Sequence, residues 1–323
     1  MPKTHQTASA LLTPGKGIFV ADEYVGEMFD GRGSQPPDIT FAQYVDLVLA
    51  APGVEDSLSG VVLTADTFAA SRHRLDHPAN QPQAVQLGVR MDAELARLKP
   101  GEEQREAVEK ARRQLAANRM AGATFVEWRA NLSPANIERG GSHVEAEALS
   151  RGAAASQAEE ILPLVTVAMP DLASHSAVVT QAATGNALDE LFNWLARSQV
   201  DTSAMLLRIN MVLAGDRGPP QTPPDDVARA TLRVISKSVP NDVPGVVFLS
   251  GGQPLDQACA NLSTITSLAR QLELPQRFTF GYARALVAGT LEAWPDAEVV
   301  QRAFVAACRR AGQPVSSASA PSP

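Results

Sequence analysis

The chain has 323 residues, 45% apolar and 20% charged, which suits a globular protein long enough for one large α/β barrel or two ordinary domains. Its net charge of −7 argues against nucleic-acid binding, which needs a basic face. It has no run of about 18 apolar residues to span a membrane, no apolar signal-peptide core in MPKTHQTASALLTPGKG, and no metal or disulfide spacing between Cys259 and Cys308, so a reducing cytoplasm is expected.

Eight apolar or β-rich runs occur in order: Gly17–Asp22, Gly60–Asp66, Val85–Asp92, Ala123–Leu132, Ile161–Met169, Met205–Leu213, Gly245–Ser250 and Arg277–Arg284. Amphipathic stretches lie between them, clearest over Glu102–Met120, with others at Thr184–Ser198, Asp225–Ser238 and Leu255–Leu272. Strand–helix alternation of this length predicts an α/β fold, a parallel sheet closed into a (β/α)8 TIM barrel. An open doubly wound sheet is the alternative. The number of units, and the lack of GxGxxG after the first strand, favour the barrel. Residues 1–313 are read as one domain, and the low-complexity stretch from Pro314 to Pro323 as a disordered tail. Gly and Pro mark Asp30–Asp38 and Gly215–Pro224 as loops, and Arg72–Gln83 is read as another. All three follow strands, on the side where barrel active sites sit.

Alternation along each strand sends a set of charges inward. Asp22 ends the first strand and Arg90 lies in the third. Glu127, Arg129 and Asn131 share one face of the fourth, Arg208 and Asn210 one face of the sixth, and Arg284 ends the eighth. A single charge of this kind reads as a rim salt bridge. Several together are costly to bury without partners, so a charged small-molecule ligand is expected. Ser250-Gly251-Gly252 follows the seventh strand, and Tyr282-Ala283-Arg284 follows the eighth. Glycines there let backbone N–H groups approach an anion, and the loops after strands seven and eight are the common phosphate site of such barrels. Arg284 can add a bidentate contact.

These residues resemble the class I fructose-1,6-bisphosphate aldolases from Pro14 to about Trp294. PGKGI with ADE at residues 14–23 resembles that family's opening PGKGI…ADES. Trp128-Arg129 resembles the WR of its fourth strand, VVFLSGGQ at 246–253 its VTFLSGGQ, and FTFGYARAL at 278–286 its LTFSYGRAL. The resemblance implies a phosphate site at Ser250, Gly251, Gly252, Ala283 and Arg284. It also implies an acid/base role for Asp22 and a substrate contact for Arg129. Family members are often tetramers, so a homo-oligomer is an expectation.

The departures concern the chemistry. Arg208-Ile209-Asn210-Met211 stands where the family has Lys-Pro-Asn-Met, whose lysine forms a Schiff base with dihydroxyacetone phosphate. A guanidinium stays protonated and cannot be that nucleophile. Glu127 and Arg90 replace two pocket lysines of strands four and three. Thr166 aligns with the glutamate that assists imine formation, Ala168 with a neighbouring carboxylate, Gly281 with a serine, and Tyr24 with the serine after Asp-Glu. Lys3, Lys16, Lys99, Lys110 and Lys237 are the only lysines, and none falls on an inward strand face. His73, His77, His143 and His175 are read as loop residues.

Three readings stay open. The first is a lyase or isomerase without a Schiff base, metal or cofactor. In it Asp22 or Glu127 is the base, Arg129 and Arg208 stabilise an oxyanion, and Arg90 helps to bind a phosphorylated or anionic substrate. The second is an inactive binding or regulatory protein in which Glu127 and Arg208 pair and plug the old site. The third is a glycolytic fructose-bisphosphate aldolase of atypical mechanism.

Overall fold

The computed structural model describes residues 2–30, 40–75, 85–91, 102–131, 142–169, 175–215 and 222–317. Eight strands are present among them: β1 (Gly17–Ala21), β2 (Leu58–Leu63), β3 (Gln86–Met91), β4 (Phe125–Asn131), β5 (Leu162–Ala168), β6 (Leu206–Asn210), β7 (Gly245–Leu249) and β8 (Arg277–Tyr282). They pair in parallel in chain order, and β8 returns to β1 to close the barrel. The expected TIM barrel is the observed fold.

The helices, numbered in chain order, are α1 (Lys3–Leu11), α2 (Glu23–Asp30), α3 (Phe41–Leu49), α4 (Ala65–Leu75), α5 (Glu102–Met120), α6 (Ser142–Ala158), α7 (Ala177–Arg197), α8 (Pro224–Ser238), α9 (Leu255–Gln271), α10 (Arg284–Glu292) and α11 (Ala297–Ser317). Their ends follow local chemistry. Thr40 and Gln43 form a capping box that starts α3. Pro224 opens α8, with Asp225 and Asp226 in its first turn and Lys237 in its last, as the helix dipole favours.

Most of the core lies between the outer strand faces and the helices. Trp128 is a typical member: fully buried, it donates from Nε1 to Ser156 Oγ at 2.8 Å, which satisfies the one polar atom of a large apolar ring. The barrel interior holds a second cluster. Ala8, Leu11 and Leu12 of the α1 segment pack there against Ile18, Phe125, Leu164 and Leu206. α1 therefore plugs one end of the barrel and leaves the other for a site. Gly60 fits this plug, because a Cβ at that position would lie 2.5 Å from Leu11 Cδ2.

Several boundaries differ from expectation. α4 continues to Leu75, so Arg72 and His73 are helical, because the stretch has no Gly or Pro to stop it before Pro78. His143 lies in the first turn of α6, and α7 begins at Ala177, where Ser176 caps it by accepting from Val179 N at 3.3 Å. α11 runs to Ser317 and carries Pro314 inside it, so the expected tail does not begin at 314. Thr266 Oγ1 donates to the Pro314 carbonyl at 3.3 Å, which holds that turn. Residues 31–39, 76–84 and 216–221, with most of the other two expected loops and His77, lie outside the described residues.

Candidate active site

The open end of the barrel has a buried polar floor. Glu127 of β4 is completely buried between two arginines. Its Oε2 accepts from Arg90 Nε and Nη2 at 3.1 and 3.0 Å. Its Oε1 accepts from Arg208 Nη1 at 2.6 Å and from Thr166 Oγ1 at 2.8 Å. Strand register produces this set, since Arg90 pairs with Glu127 across β3–β4 and Thr166 with Arg208 across β5–β6. Arg208, 1% exposed, reaches across to β8. There its Nε and Nη2 both donate to the Gly281 carbonyl, at 3.3 and 2.8 Å.

Asp22 joins the floor to the wall. It ends β1 and starts α2, with Oδ1 accepting from Val25 N at 3.2 Å. Its Oδ2 lies 3.5 Å from Arg90 Nη2 and 3.3 Å from Arg129 Nη1. Arg90 also donates from Nη1 to Glu23. Arg129 donates from Nε to Asn131 Oδ1 at 2.9 Å. Its guanidinium carbon lies 5.2 Å from the Tyr24 ring centre, and that of Arg284 lies 5.8 Å from it. Tyr24 thus contacts both cations through its π system.

A cavity of about 390 Å³ sits above the floor. Asp22, Tyr24, Glu27, Arg129, Asn131, Met169, Arg208, Leu249, Ser250, Gly251, Ala283 and Arg284 line it. Gly251 and Gly252 have φ of +59° and +76°, which glycine adopts readily, and their turn bends tightly after β7. Asn210 supports that turn. Its Oδ1 accepts from Met169 N at 2.8 Å, and its Nδ2 is so close to Gly251 that a Cβ there would lie 3.1 Å away.

The charges shape one another. Burial pushes the Glu127 carboxyl up, but Arg90, Arg208 and Arg129 outweigh it and hold the group well below its ordinary range. Burial also raises Asp22, and there it wins over the same three arginines. Burial lowers Arg208 against the pull of Glu127, though a guanidinium stays charged.

Seven expected site residues therefore meet at the cavity: Asp22, Arg129, Arg208, Ser250, Gly251, Ala283 and Arg284. Gly252 lies next to them in the turn without lining the cavity. Two expected roles need correction. Glu127 does not line this cavity, and its ion pairs hold it deprotonated, which suits a counter-ion to Arg90 and Arg208 rather than the expected base. Arg90 is committed to Glu127, Glu23 and Asp22, and so is not placed to hold a phosphate. Tyr24, Glu27, Asn131, Met169 and Leu249 also line the cavity, without an expected role. The inward parity of β4 and the closeness of Tyr24 to Asp22 were the available signals for two of them. Among the described residues no lysine lines the cavity. Lys16 donates to the Glu55 carbonyl at 2.6 Å, and Lys237 faces Asp189 at 3.8 Å.

Fold and cavity together define a (β/α)8 barrel protein with an arginine-lined mouth. A family model, fructose-bisphosphate aldolase class-I, matches residues 3–320. Fructose-bisphosphate aldolase 2 of Caenorhabditis elegans is 30% identical over 299 residues, covering 90% of this chain and 81% of that protein. A probable fructose-bisphosphate aldolase class 1 of Xanthomonas campestris pv. campestris is 30% identical over 302 residues, covering 90% and 88%. The fructose-bisphosphate aldolase of Plasmodium falciparum, solved in complex with TRAP and a small molecule inhibitor, superposes with a TM-score of 0.81 at 25% identity, covering 97% of this chain and 94% of that one. The chain belongs to the class I fructose-bisphosphate aldolase family. Among the described residues no helix is long and apolar enough to cross a membrane.

Proposed function

We propose that this member of the family binds a phosphorylated small molecule at the barrel mouth without forming a Schiff base. One observation carries the reading: Arg208, which by the sequence resemblance stands where the family has its imine lysine, is held by Glu127 and Gly281 while it lines an open cavity. The phosphate sits at the Ser250–Gly252 turn beside Arg284, where glycine backbone and a guanidinium can surround it. The fructose-bisphosphate aldolase names of the relatives support a phosphosugar as the class of ligand. The locked pair favours binding over cleavage.

The test is borohydride reduction in the presence of dihydroxyacetone phosphate, with calorimetric binding of the same compound measured in parallel. Binding that weakens at least about tenfold in Arg284→Ala, the loss of a charged phosphate contact, and no mass increase on any lysine peptide, are expected. A trapped lysine adduct would restore the ordinary aldolase reading. No binding would remove the phosphate site.

A second reading is turnover by acid–base chemistry. Asp22 favours it, because that carboxyl lines the cavity, is pushed up by burial and lies beside Arg129. Asp22 would then move a proton at the substrate carbon while Arg129 stabilises the enediolate oxygen. Exchange of substrate carbon-bound hydrogen with deuterium oxide, followed by NMR, detects this chemistry. Its absence in wild type would rule the second reading out.

A further inference from the structure

Arg208 brings unfilled hydrogen-bond donors to the floor beside the cavity. A guanidinium has five N–H donors. Arg208 uses one from Nε and one from Nη2 on the Gly281 carbonyl, and one from Nη1 on Glu127. One N–H on each terminal nitrogen is left with no partner among the described residues. The residue is 1% exposed, and the surface it does present lines the cavity. Among the described residues its only ion-pair partner, Glu127, is shared with Arg90. Arg90 has Glu23 and Asp22 as well. Arg208 is therefore the less neutralised of the two. Arg129 also lines the cavity, with its Nη1 3.3 Å from Asp22 Oδ2.

A buried guanidinium with unfilled donors facing an open cavity is suited to an anionic oxygen pair. A ketone offers no full charge and compensates it poorly. Resting on the phosphate reading above, we infer that the cavity recognises a short phosphorylated carboxylic acid, with the carboxylate on Arg208 and Arg129 at the floor and the phosphate at the Ser250–Gly251 turn and Arg284. In this chain an ionic contact to a carboxylate takes the place at which an amine would attack a carbonyl.

The experiment compares 3-phosphoglycerate with glycerol 3-phosphate, which share a three-carbon skeleton and differ at one end as carboxylate against alcohol. Calorimetry on the wild type is expected to show the carboxylate compound binding at least about tenfold more tightly, the scale of one charge-assisted bidentate contact. In Arg208→Gln that ratio should fall to about one, because the preference for the carboxylate end is assigned to this guanidinium. Equal wild-type affinities would overturn the inference and leave phosphate binding standing. A preference that survives in Arg208→Gln would overturn the assignment to Arg208. If neither compound binds, the underlying phosphate reading fails, and this inference with it. Should Arg208→Gln not fold, Arg208→Lys serves instead. It keeps the charge but not the planar pair of donors, so the ratio should still drop. The wild-type ratio decides the inference even without a variant.

Discussion

The carbonyl oxygen of Gly281 accepts from both Nε and Nη2 of Arg208, and residue 281 has no side chain to obstruct that approach. A Cβ there would lie 3.0 Å from Arg208 Nε and 2.5 Å from Val247 Cγ1. Arginine on β6 and glycine on β8 therefore fit each other. Two residues 73 positions apart in sequence form one packed unit.

That fit predicts the effect of Gly281→Ser. The added atoms overfill a packed barrel interior, and a loss of about 1–3 kcal/mol is expected from urea denaturation. Part of the cost comes from Arg208 and part from Val247. The cost should therefore shrink, by about 1 kcal/mol, when Arg208→Lys is present in the same chain. Strictly additive losses would show that the two positions are not coupled.

Among the described residues Glu127 is the one carboxylate that pairs with both Arg90 and Arg208. Glu127→Gln keeps the shape and removes the charge, leaving two buried guanidiniums short of a counter-ion. A loss of about 3–5 kcal/mol is expected. The pH dependence follows from the depressed carboxyl. Its folded value lies below the ordinary 4.5, so its contribution is complete above that pH and is lost as pH falls toward the folded value. The wild type should lose stability on acidification below about pH 4.5, and the variant should lose less over the same interval. Parallel denaturation curves from pH 3 to 7 make the comparison.

The barrel was legible in the sequence because each strand is a short apolar run followed by an amphipathic helix. Period-two alternation likewise placed Glu127, Arg129 and Arg208 inward. What alternation could not give was depth. Glu127 and Arg129 lie on one face of one strand, yet Glu127 is sealed in the floor and Arg129 reaches the cavity. The difference depends on register with Arg90 and Thr166, which is a relation between strands. Tyr24 escaped a role for a related reason: it lies on a helix, and its two cationic neighbours come from β4 and α10.

Asp22 titrates in the opposite sense to Glu127. Its folded value is raised above the ordinary 3.8 by burial, so the folded state holds that proton more tightly than the unfolded one. Stability from this group is present below the ordinary value and declines as pH rises through the folded value. Asp22→Asn should therefore gain on the wild type as pH increases from 4 to 7, since asparagine can still cap α2 through its oxygen. Urea midpoints at several pH values test this. A variant that loses ground with rising pH would show that the arginines outweigh burial at Asp22.

Putting an amine back at position 208 should not by itself restore imine chemistry. In Arg208→Lys the ammonium would face Glu127, a carboxylate that Arg90 keeps ionised at neutral pH. That ion pair favours the protonated amine, which cannot attack a carbonyl. The neighbouring Thr166 supplies no carboxylate to take a proton, and its hydroxyl already donates to Glu127. Borohydride reduction of Arg208→Lys with dihydroxyacetone phosphate at neutral pH should leave the residue 208 peptide unmodified. The double variant Arg208→Lys with Thr166→Glu adds a second carboxylate within reach and is the more favourable case for a trapped adduct. An adduct in the single variant would mean that the floor tolerates a neutral amine, and that the identity of residue 208 alone separates this chain from imine-forming relatives.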